Sequence, residues 1–385
     1  MRITGVEATE ICVPLKEPLV WAGGTRHTAS GLLVELQTDE GLTGLGECPG
    51  PTLPTIRTIV ERELSQFLLG EDPRRVNWLV HRMEEFCRNW SEIGAYAIAG
   101  LEMALLDLKG KLLGVAVAEL LGGFCRYDAP AVGYLFIDTA ERNAQKAADF
   151  VHRGFTELKL KVGRDLGQDR DTLAAIRAAV GSEIKIRVDA NMSWSVPTAI
   201  RWIKALEEFD LQYVEQPTPD FDLEGMAQVR RAVSTPIAAD ESCTDLRSVL
   251  RLLKAEACDV LVVYPSEAGG LSRAYQIACL ADAASKWCVI GSWAELGVGT
   301  VANAHVVASS PNFPFASDTH YPLQAGDVLE AELDFTGGRL RVPKRPGLGV
   351  EIDREKVARL AQTELRQSVF YDDIGGKAPR IGQVL

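Results

Sequence analysis

Two lysines, Lys159 and Lys161, stand two positions apart in the stretch Thr-Glu-Leu-Lys-Leu-Lys-Val-Gly over residues 156–163. Alternate side chains of a β-strand point to the same face, so a strand here would place both ammonium groups side by side. On an exposed edge strand, such lysines would serve to discourage aggregation. In a buried site, a cationic neighbour would lower the pKa of Lys161 and make it a usable base. The stretch by itself favours the exposed strand, and the downstream sequence reverses that preference.

Three acidic residues follow at the ends of the next short apolar segments. Asp189 lies in Val-Asp-Ala-Asn, Glu215 in Val-Glu-Gln-Pro and Asp240 in Ala-Asp-Glu-Ser. Each of them alone is consistent with a carboxylate that caps a helix N-terminus. Three carboxylates on successive strand ends would repel one another strongly unless a cation neutralised them. Carboxylate oxygens suit Mg²⁺, with Mn²⁺ possible, so the sequence predicts a metal site at these three residues.

The segments that carry these residues form a regular series from about residue 128 onward. Short apolar strands alternate with helical patterns, which is typical of βαβ units and a parallel sheet. The predicted strand ends recur every 24 to 28 residues, near Ile137, Lys161, Asp189, Glu215, Asp240, Tyr264, Ser292 and Asp318. Eight such repeats favour a (β/α)8-type barrel over a doubly wound sheet. Barrels of this type build their active sites at the C-terminal ends of the strands.

The residues before the barrel predict an α+β capping domain. A strand is predicted over 3–13 and ended by Pro14, and a glycine-rich loop over 21–27 follows it. A hairpin joins strands at 31–37 and 42–47, and helical periodicity then covers 54–69, 73–88 and 92–113. The sequence therefore predicts an α/β protein in three parts: the capping domain (1–127), the barrel (128–325) and a C-terminal segment that returns toward the capping domain (326–385).

Composition excludes several other classes of protein. A net charge of −12 argues against a general nucleic-acid binder, and no apolar run approaches the ~20 residues of a membrane helix. The eight cysteines form no Cys-x-x-Cys pair, so neither a zinc site nor a redox motif is visible. We therefore expect a cytoplasmic enzyme with reduced cysteines, without nucleic-acid or membrane partners.

The motifs together resemble the enolase superfamily, and within it the muconate-lactonizing-enzyme-like members of the mandelate racemase/muconate lactonizing enzyme family. The resemblance rests on these elements: Lys159-Leu160-Lys161, Asp189-Ala190-Asn191, Glu215-Gln216-Pro217, Asp240-Glu241-Ser242, Gly269-Gly270, Glu295 and the stretch 346–350. It covers essentially the whole chain. It implies Mg²⁺ bound by Asp189, Glu215 and Asp240, a small carboxylate substrate, and a homo-oligomer. It also implies that Lys161 removes the α-proton to give an enediolate.

The sixth predicted strand departs from the family pattern. Tyr264 stands where a lysine commonly faces the first lysine pair across the substrate. Tyrosine has a reference pKa of ~10, so Tyr264 would be able to exchange a proton opposite Lys161. Alternatively, it only shapes the pocket or binds the substrate by a hydrogen bond. Either way, reactions that use Lys161 as a single base stay available.

Further residues are expected to contact the substrate. Trp21 and Arg26 lie on the predicted cap loop, Asn191 follows the first acidic residue, and Glu295 and Asp318 lie near the seventh and eighth strand ends. The stretch 291–297 has no histidine, which argues against the mandelate-racemase and glucarate-dehydratase arrangement. The tail Ser317-Asp318-Thr319-His320 is nevertheless similar to acid-sugar dehydratases, and either Asp318 or His320 would then reach the substrate. His320 is alternatively a loop histidine with its hydrogen bonds satisfied.

The expected function is a Mg²⁺-dependent isomerase or lyase that enolises a small carboxylate, as in muconate cycloisomerases and related racemases. Two rivals remain open. One is an acid-sugar or hydroxy-acid dehydratase, and the other is a barrel that binds metal and ligand without catalysis.

Overall fold

The capping domain is built on a long antiparallel hairpin in the computed structural model, which describes residues 1–362 and the backbone of Val369–Phe370. Strand β1 (Ile3–Trp21) pairs with β2 (Gly24–Thr38), and β2 pairs with β3 (Thr43–Pro49). The prediction that Pro14 ends the first strand is wrong. Proline is tolerated in edge strands, and β1 is an edge strand whose register shifts immediately after Pro14. The predicted loop 21–27 is therefore the tip of a continuous hairpin.

Helices cover one face of this sheet, as their periodicity predicted. The α-helices are α1 (Leu53–Thr58), α2 (Val76–Phe86), α3 (Ser91–Leu113) and α4 (Val117–Leu120). A π-helical turn (Ile59–Leu64) and two 3-10 turns (Ser65–Phe67 and Arg88–Trp90) lie between them. Helix α3 packs so closely on β3 that a Cβ added at Gly46 would lie 2.0 Å from the carbonyl oxygen of Gly100. Glycine at position 46 therefore permits this contact.

The second unit is a parallel sheet of seven strands with helices between them. After β4 (Asp128–Pro130), the sheet strands are β5 (Gly133–Leu135), β6 (Glu157–Lys161), β7 (Lys185–Asp189), β8 (Leu211–Glu215), β9 (Ile237–Ala239), β10 (Val260–Val263) and β11 (Trp287–Ile290). The α-helices are α5 (Ala140–His152), α6 (Leu166–Val180), α7 (Val196–Leu206), α8 (Leu223–Ala232), α9 (Leu246–Ala255), α10 (Pro265–Ala268), α11 (Leu271–Ala283) and α12 (Gly297–Ser309). A 3-10 turn (Glu207–Phe209) follows α7. The predicted α/β fold class is confirmed, and each of the seven strands ends within two residues of its predicted position.

The eighth barrel position is filled by residues 316–318 rather than by a regular strand. The N–H of Val132 donates to the carbonyl oxygen of Ser317 at 2.9 Å, and the N–H of Asp318 donates to that of Ile290 at 2.9 Å. These bonds connect the segment to the two ends of the sheet. The N–H and C=O groups of Ala316 instead bond to side chains from the barrel interior. This exchange of partners explains why the eighth predicted strand is not a regular one.

The C-terminal segment returns to the capping domain. It contains two 3-10 turns (Tyr321–Leu323 and Thr336–Gly338), β12 (Arg339–Arg341) paired with β4, α13 (Arg354–Ala361) and β13 (Val369–Phe370), whose backbone pairs with β2. The N–H of Leu348 donates to Asp107 of α3 at 2.7 Å. These contacts support the three-part division 1–127, 128–325 and 326–385, which we propose for the chain. The end of the predicted C-terminal segment, at 363–368 and 371–385, lies outside the described residues.

Buried carboxylates of the capping domain bind the N-termini of two barrel helices. Glu47 accepts hydrogen bonds from the N–H groups of Leu296 and Gly299, both at 2.7 Å, where α12 begins. Glu102 accepts from the N–H groups of Leu271 and Ser272 at the start of α11. Negative charge is favourable at a helix N-terminus, so these contacts fix the cap on the barrel. Within the described part of the chain, no helix combines the length and the apolar character required to cross a bilayer.

Candidate active site

The two lysines point into the barrel. Strands β6 and β7 pair so that Lys159 lies opposite Arg187 and Lys161 lies opposite Asp189. Lys159 is completely buried and Lys161 is 9% exposed. The exposed edge-strand interpretation is therefore excluded, since β6 lies inside the sheet and its lysines face the interior. Lys161 is the outer of the two because it stands at the C-terminal end of β6.

The three predicted metal ligands meet beside these lysines. Asp189, Glu215 and Asp240 each offer a carboxylate oxygen, and these atoms all lie within 4.8 Å of one another. Lys161 Nζ lies 2.5 Å from Asp189 Oδ2. Lys159 Nζ lies 2.5 Å from Glu215 Oε1 and 3.1 Å from Asp189 Oδ2. The structure thus brings the predicted base, its neighbour and the predicted ligands into one charged cluster.

The donor set of this cluster fits a hard divalent cation. Glu215 Oε2 is buried and has no hydrogen-bond partner among the described residues, which is costly for a carboxylate oxygen. Burial raises the pKa of both Glu215 and Asp240 well above the usual range, and the charge of Asp189 acts in the same direction. A cation at this position would satisfy the orphaned oxygen and favour the ionised carboxylates. Three carboxylates with room for further oxygen ligands match the preferences of Mg²⁺.

The protonation of Lys161 depends on its carboxylate partner. Burial has the largest effect on Lys161 and lowers its pKa, but the charges of Asp189, Tyr134 and Glu215 together outweigh it, so that the pKa is raised overall. The positive charge of Lys159 lowers the pKa of Lys161, as expected from the sequence, but its effect is smaller than that of Asp189. The protein's own groups therefore hold Lys161 protonated, and neutralisation of Asp189 would be required to free it as a base.

Tyr264 lies across the barrel mouth from Lys161. It follows β10, and three strands of the sheet separate β10 from β6. Its hydroxyl donates to Asp240 Oδ2 at 3.2 Å. Its ring occupies the space in front of Gly291, where an added Cβ would lie 2.3 Å from Cζ. Burial raises the pKa of Tyr264 well above its ordinary value, so the phenol is a proton donor in its resting form.

The expected substrate-contact residues occupy different parts of the mouth. Arg26 donates to the carbonyl oxygen of Trp293 at 2.5 Å, and its guanidinium lies 5.8 Å from the centre of that indole ring. Trp21 lies at the hairpin tip, where the carbonyl oxygen of the preceding residue, Val20, accepts from the N–H of Ile137, two residues after β5. The hairpin tip therefore contacts the barrel at the catalytic ends of its strands.

Asn191 and Glu295 both bond to neighbouring loop groups. Asn191, with a φ of 43°, donates to Glu241 Oε1 at 3.1 Å and its side-chain oxygen is buried without a partner among the described residues. Glu295 accepts from Ser292 Oγ at 2.6 Å and from the N–H of Trp293 at 3.0 Å. Its carboxylate thus stabilises its own loop.

Asp318 and His320 differ in their surroundings. Asp318 is buried beneath the mouth, where one oxygen lies 2.6 Å from Lys159 Nζ and the other 2.7 Å from Arg187 Nη2. His320 Nδ1 lies 2.9 Å from Ser292 Oγ, and its ring contacts the ring of Tyr134. Burial lowers the pKa of His320 well below its ordinary value. The geometry fits a neutral histidine with its hydrogen bond satisfied.

Sequence analysis missed two residues that line this cluster. Arg187 is fully buried two positions before Asp189, and strand alternation alone predicts that both face the interior. The ring centre of Tyr134 lies 5.2 Å from Lys159 Nζ and 5.5 Å from Lys161 Nζ. No local signal distinguishes Tyr134 from an ordinary core tyrosine.

Family models match both units of the chain. The model described as "Enolase C-terminal domain-like" matches residues 142–357, and the mandelate racemase/muconate lactonizing enzyme N-terminal domain matches residues 3–122. The L-Ala-D/L-Glu epimerase of Bacillus subtilis is 32% identical over 361 residues, which cover 91% of this chain and 97% of the epimerase. A chloromuconate cycloisomerase of a Pseudomonas species is 30% identical over 368 residues, covering 93% and 98%.

Solved structures share the whole fold. A dipeptide epimerase from Enterococcus faecalis, in a complex with Mg and the dipeptide L-Leu-L-Tyr, superimposes with a TM-score of 0.85 and 31% identity. The match covers 91% of this chain and 99% of that epimerase. With both family models matched and the site assembled at the strand ends, the chain is an enolase-superfamily enzyme and belongs to the mandelate racemase/muconate lactonizing enzyme family.

Proposed function

We propose that the protein is a Mg²⁺-dependent enzyme that removes the α-proton of a small carboxylate substrate to give an enediolate. The observation that carries this proposal is the position of Lys161 beside three buried carboxylates that fit a divalent cation. The Mg in the Enterococcus faecalis complex supports this choice of ion, and Mn²⁺ meets the same ligand requirement. Relatives named as epimerases and cycloisomerases support an isomerase or lyase.

The proposed roles follow from the contacts of each residue. Asp189, Glu215 and Asp240 would hold the cation. When bound, a divalent cation would neutralise these carboxylates, free Lys161 from its proton and stabilise the charge that develops on the substrate carboxylate. The neutral amine of Lys161 takes the α-proton from one face of the substrate. Lys159 keeps its positive charge and lowers the pKa of Lys161.

Tyr264 distinguishes two outcomes for the enediolate. In an isomerase, the phenol would return a proton to the face opposite Lys161. In the second candidate function, acid-sugar or hydroxy-acid dehydration, the phenol would give its proton to a departing β-hydroxyl, so that the C–O bond breaks, a C=C bond forms and water leaves. The location of the Tyr264 phenol opposite Lys161 is the observation behind this candidate.

The proposal also covers the substrate class, the location and the oligomeric state. The charge of −12 supports a small-molecule substrate over a nucleic acid, and we propose Trp21, Arg26, Asn191 and Glu295 as its contacts. Eight scattered cysteines without a pairing pattern support a cytoplasmic location. A homo-oligomer is proposed from the family resemblance. A barrel that only binds metal and ligand is disfavoured by the intact lysine pair.

Deuterium exchange tests the proposed function. The protein is incubated with Mg²⁺ in D₂O with a library of carboxylic, hydroxy and amino acids, and the products are followed by proton NMR and mass spectrometry. At least one acid is expected to gain deuterium at the α-carbon, and EDTA is expected to stop the exchange. Loss of water from that acid identifies the dehydratase. Mg²⁺ binding without exchange of any acid would leave the non-catalytic barrel as the better description.

Replacement of Tyr264 by phenylalanine separates the two outcomes. Proton transfer by a positioned side chain contributes about 10²- to 10⁴-fold, so Tyr264→Phe is expected to slow product formation about 100-fold. Exchange of the substrate α-proton through Lys161 should persist in Tyr264→Phe, because the proposed base is intact. Tyr96→Phe is the matched control, since it removes a phenol that donates to Glu267, a carboxylate outside the metal triad. Unchanged product formation in Tyr264→Phe would show that Tyr264 only shapes the pocket.

A further inference from the structure

A single guanidinium holds the segment that closes the barrel. Arg187 Nη2 donates to the carbonyl oxygen of Ala316 at 2.6 Å and to Asp318 Oδ1 at 2.7 Å. Arg187 Nη1 donates to Glu157 Oε2 at 3.0 Å, and the same oxygen accepts the N–H of Ala316 at 3.1 Å. Since residues 316–318 form no regular strand, these side-chain contacts replace the missing backbone ladder.

The second oxygen of Asp318 contacts Lys159. The distance from Asp318 Oδ2 to Lys159 Nζ is 2.6 Å, and Lys159 also contacts Glu215 and Asp189. An ammonium has three donors, so these three carboxylates occupy all of them. Arg187 and Lys159 are completely buried and Asp318 is 4% exposed, so water cannot replace a lost partner easily. The position of Lys159 therefore depends on where Asp318 is held.

We infer that Arg187 is a positioning residue for the reaction: its guanidinium fixes Asp318, and Asp318 fixes the ammonium of Lys159 beside Lys161. The inference rests on the proposed function, because Lys159 matters to the chemistry only where Lys161 is the base. Both oxygens of Asp318 then serve the charge network instead of the substrate. A lysine at position 187 would not reproduce this contact, because one ammonium lacks the rigid fork that spans Glu157, Ala316 and Asp318.

Kinetics of four variants test this role: Arg187→Met, Asp318→Asn, the double variant and the control Arg230→Met. Misplacement of a reacting group by 1 Å costs about 10²-fold, so kcat for α-proton exchange is expected to fall about 10- to 100-fold in Arg187→Met. KM should stay within about threefold, as for a loss confined to the transition state. Because Arg187 acts through Asp318, the double variant should lose no more than about threefold beyond Asp318→Asn.

The control and a second readout distinguish positioning from general stability. Arg230→Met removes another barrel arginine, whose contacts to Asp259 and to the carbonyl oxygen of Glu256 lie outside the Asp318 network, so its kcat should stay within about twofold. A crystal structure of Arg187→Met is expected to show Lys159 Nζ displaced from Asp318 beyond hydrogen-bond distance. Should Arg187→Met fail to fold, Arg187→Lys is expected to fold and to lose about three- to tenfold in kcat.

Several results would overturn the inference. The first is a wild-type kcat in Arg187→Met, or in Arg187→Lys where Arg187→Met does not fold. The second is a double variant whose loss equals the product of the two single losses. The third is a crystal structure of Arg187→Met in which Lys159 Nζ still contacts Asp318. The crystallographic result requires no substrate, so it decides the question even where no acid exchanges. Full exchange activity in Lys161→Met counts against the proposed function itself. Loss of activity in Lys161→Met with full activity in Arg187→Met counts against the positioning role alone.

Discussion

Lys161→Met is expected to reduce α-proton exchange about 1000-fold while Mn²⁺ still binds. Transfer of a proton by a positioned base contributes about 10²- to 10⁴-fold, and Lys161 is the lysine at the C-terminal end of β6. Lys159 is occupied by three carboxylates and lies one layer deeper, so it cannot take over. Methionine keeps the length of the aliphatic chain and removes only the proton acceptor.

The measurement is the rate of deuterium incorporation into an acid that the wild-type protein exchanges. Loss of the ammonium removes one partner of Asp189, but Lys159 remains 3.1 Å from the same carboxylate oxygen. The variant should therefore fold, which thermal unfolding would verify. Lys185→Met is the control, since Lys185 is exposed at the opposite end of β7. An exchange rate in Lys161→Met within about threefold of the wild type would show that another group is the base.

Local patterns were sufficient to predict the positions of the lysines and the metal ligands. Strand alternation places Lys159 and Lys161 on one face, and a near-constant repeat puts Asp189, Glu215 and Asp240 at consecutive strand ends. These relations depend only on backbone geometry that every barrel of this class shares. For that reason the fold and the carboxylate cluster were predictable before any coordinates.

Contacts between distant segments were not predictable in the same way. Asp318 was expected to meet the substrate, yet its two oxygens contact Lys159 and Arg187, which come from strands more than 130 residues earlier in the chain. The fit of Tyr264 against Gly291 likewise depends on the pairing of two strands and on a missing Cβ. Side-chain partners of this kind are selected by tertiary packing, for which a single sequence carries no periodic signal.

The pKa of Lys161 shows the same limit. The charge of Lys159 was expected to lower it, and that effect is present. Burial also lowers the pKa, and the overall shift is upward because the charges of Asp189, Tyr134 and Glu215 together are stronger; the nearest oxygen of Asp189 lies 2.5 Å from the amine. The sequence places both residues at the site, but only the geometry decides which neighbour dominates. Under the proposed function, the protonation of Lys161 and the occupation of the metal site are therefore linked through Asp189.

The metal site is expected to lose its affinity when two of its carboxylates become amides. Substitutions outside the ligand shell commonly weaken metal binding about 10- to 100-fold, so the double variant Asp189→Asn, Glu215→Gln should weaken Mn²⁺ binding by at least about 100-fold. Amides keep the volume of the side chains, and they limit the cavity that alanine would leave beside the buried lysines. Calorimetric titration with Mn²⁺ and with Mg²⁺ provides the measurement. Thermal unfolding verifies that the variant is folded.

The matched control is Glu102→Gln, which changes a carboxylate that is equally buried but bonded to the N-terminus of α11. It should bind Mn²⁺ as the wild type does. Asp240→Asn alone should also weaken Mn²⁺ binding, because it removes the charge of one of the three carboxylates. Asp240 contacts Tyr264 and neither lysine among the described residues, so this substitution disturbs no ion pair with them. Undiminished binding in the folded double variant would place the metal elsewhere. In that case the buried oxygen of Glu215 would need another partner. Asp189 would also keep its negative charge, and Lys161 would stay protonated beside it.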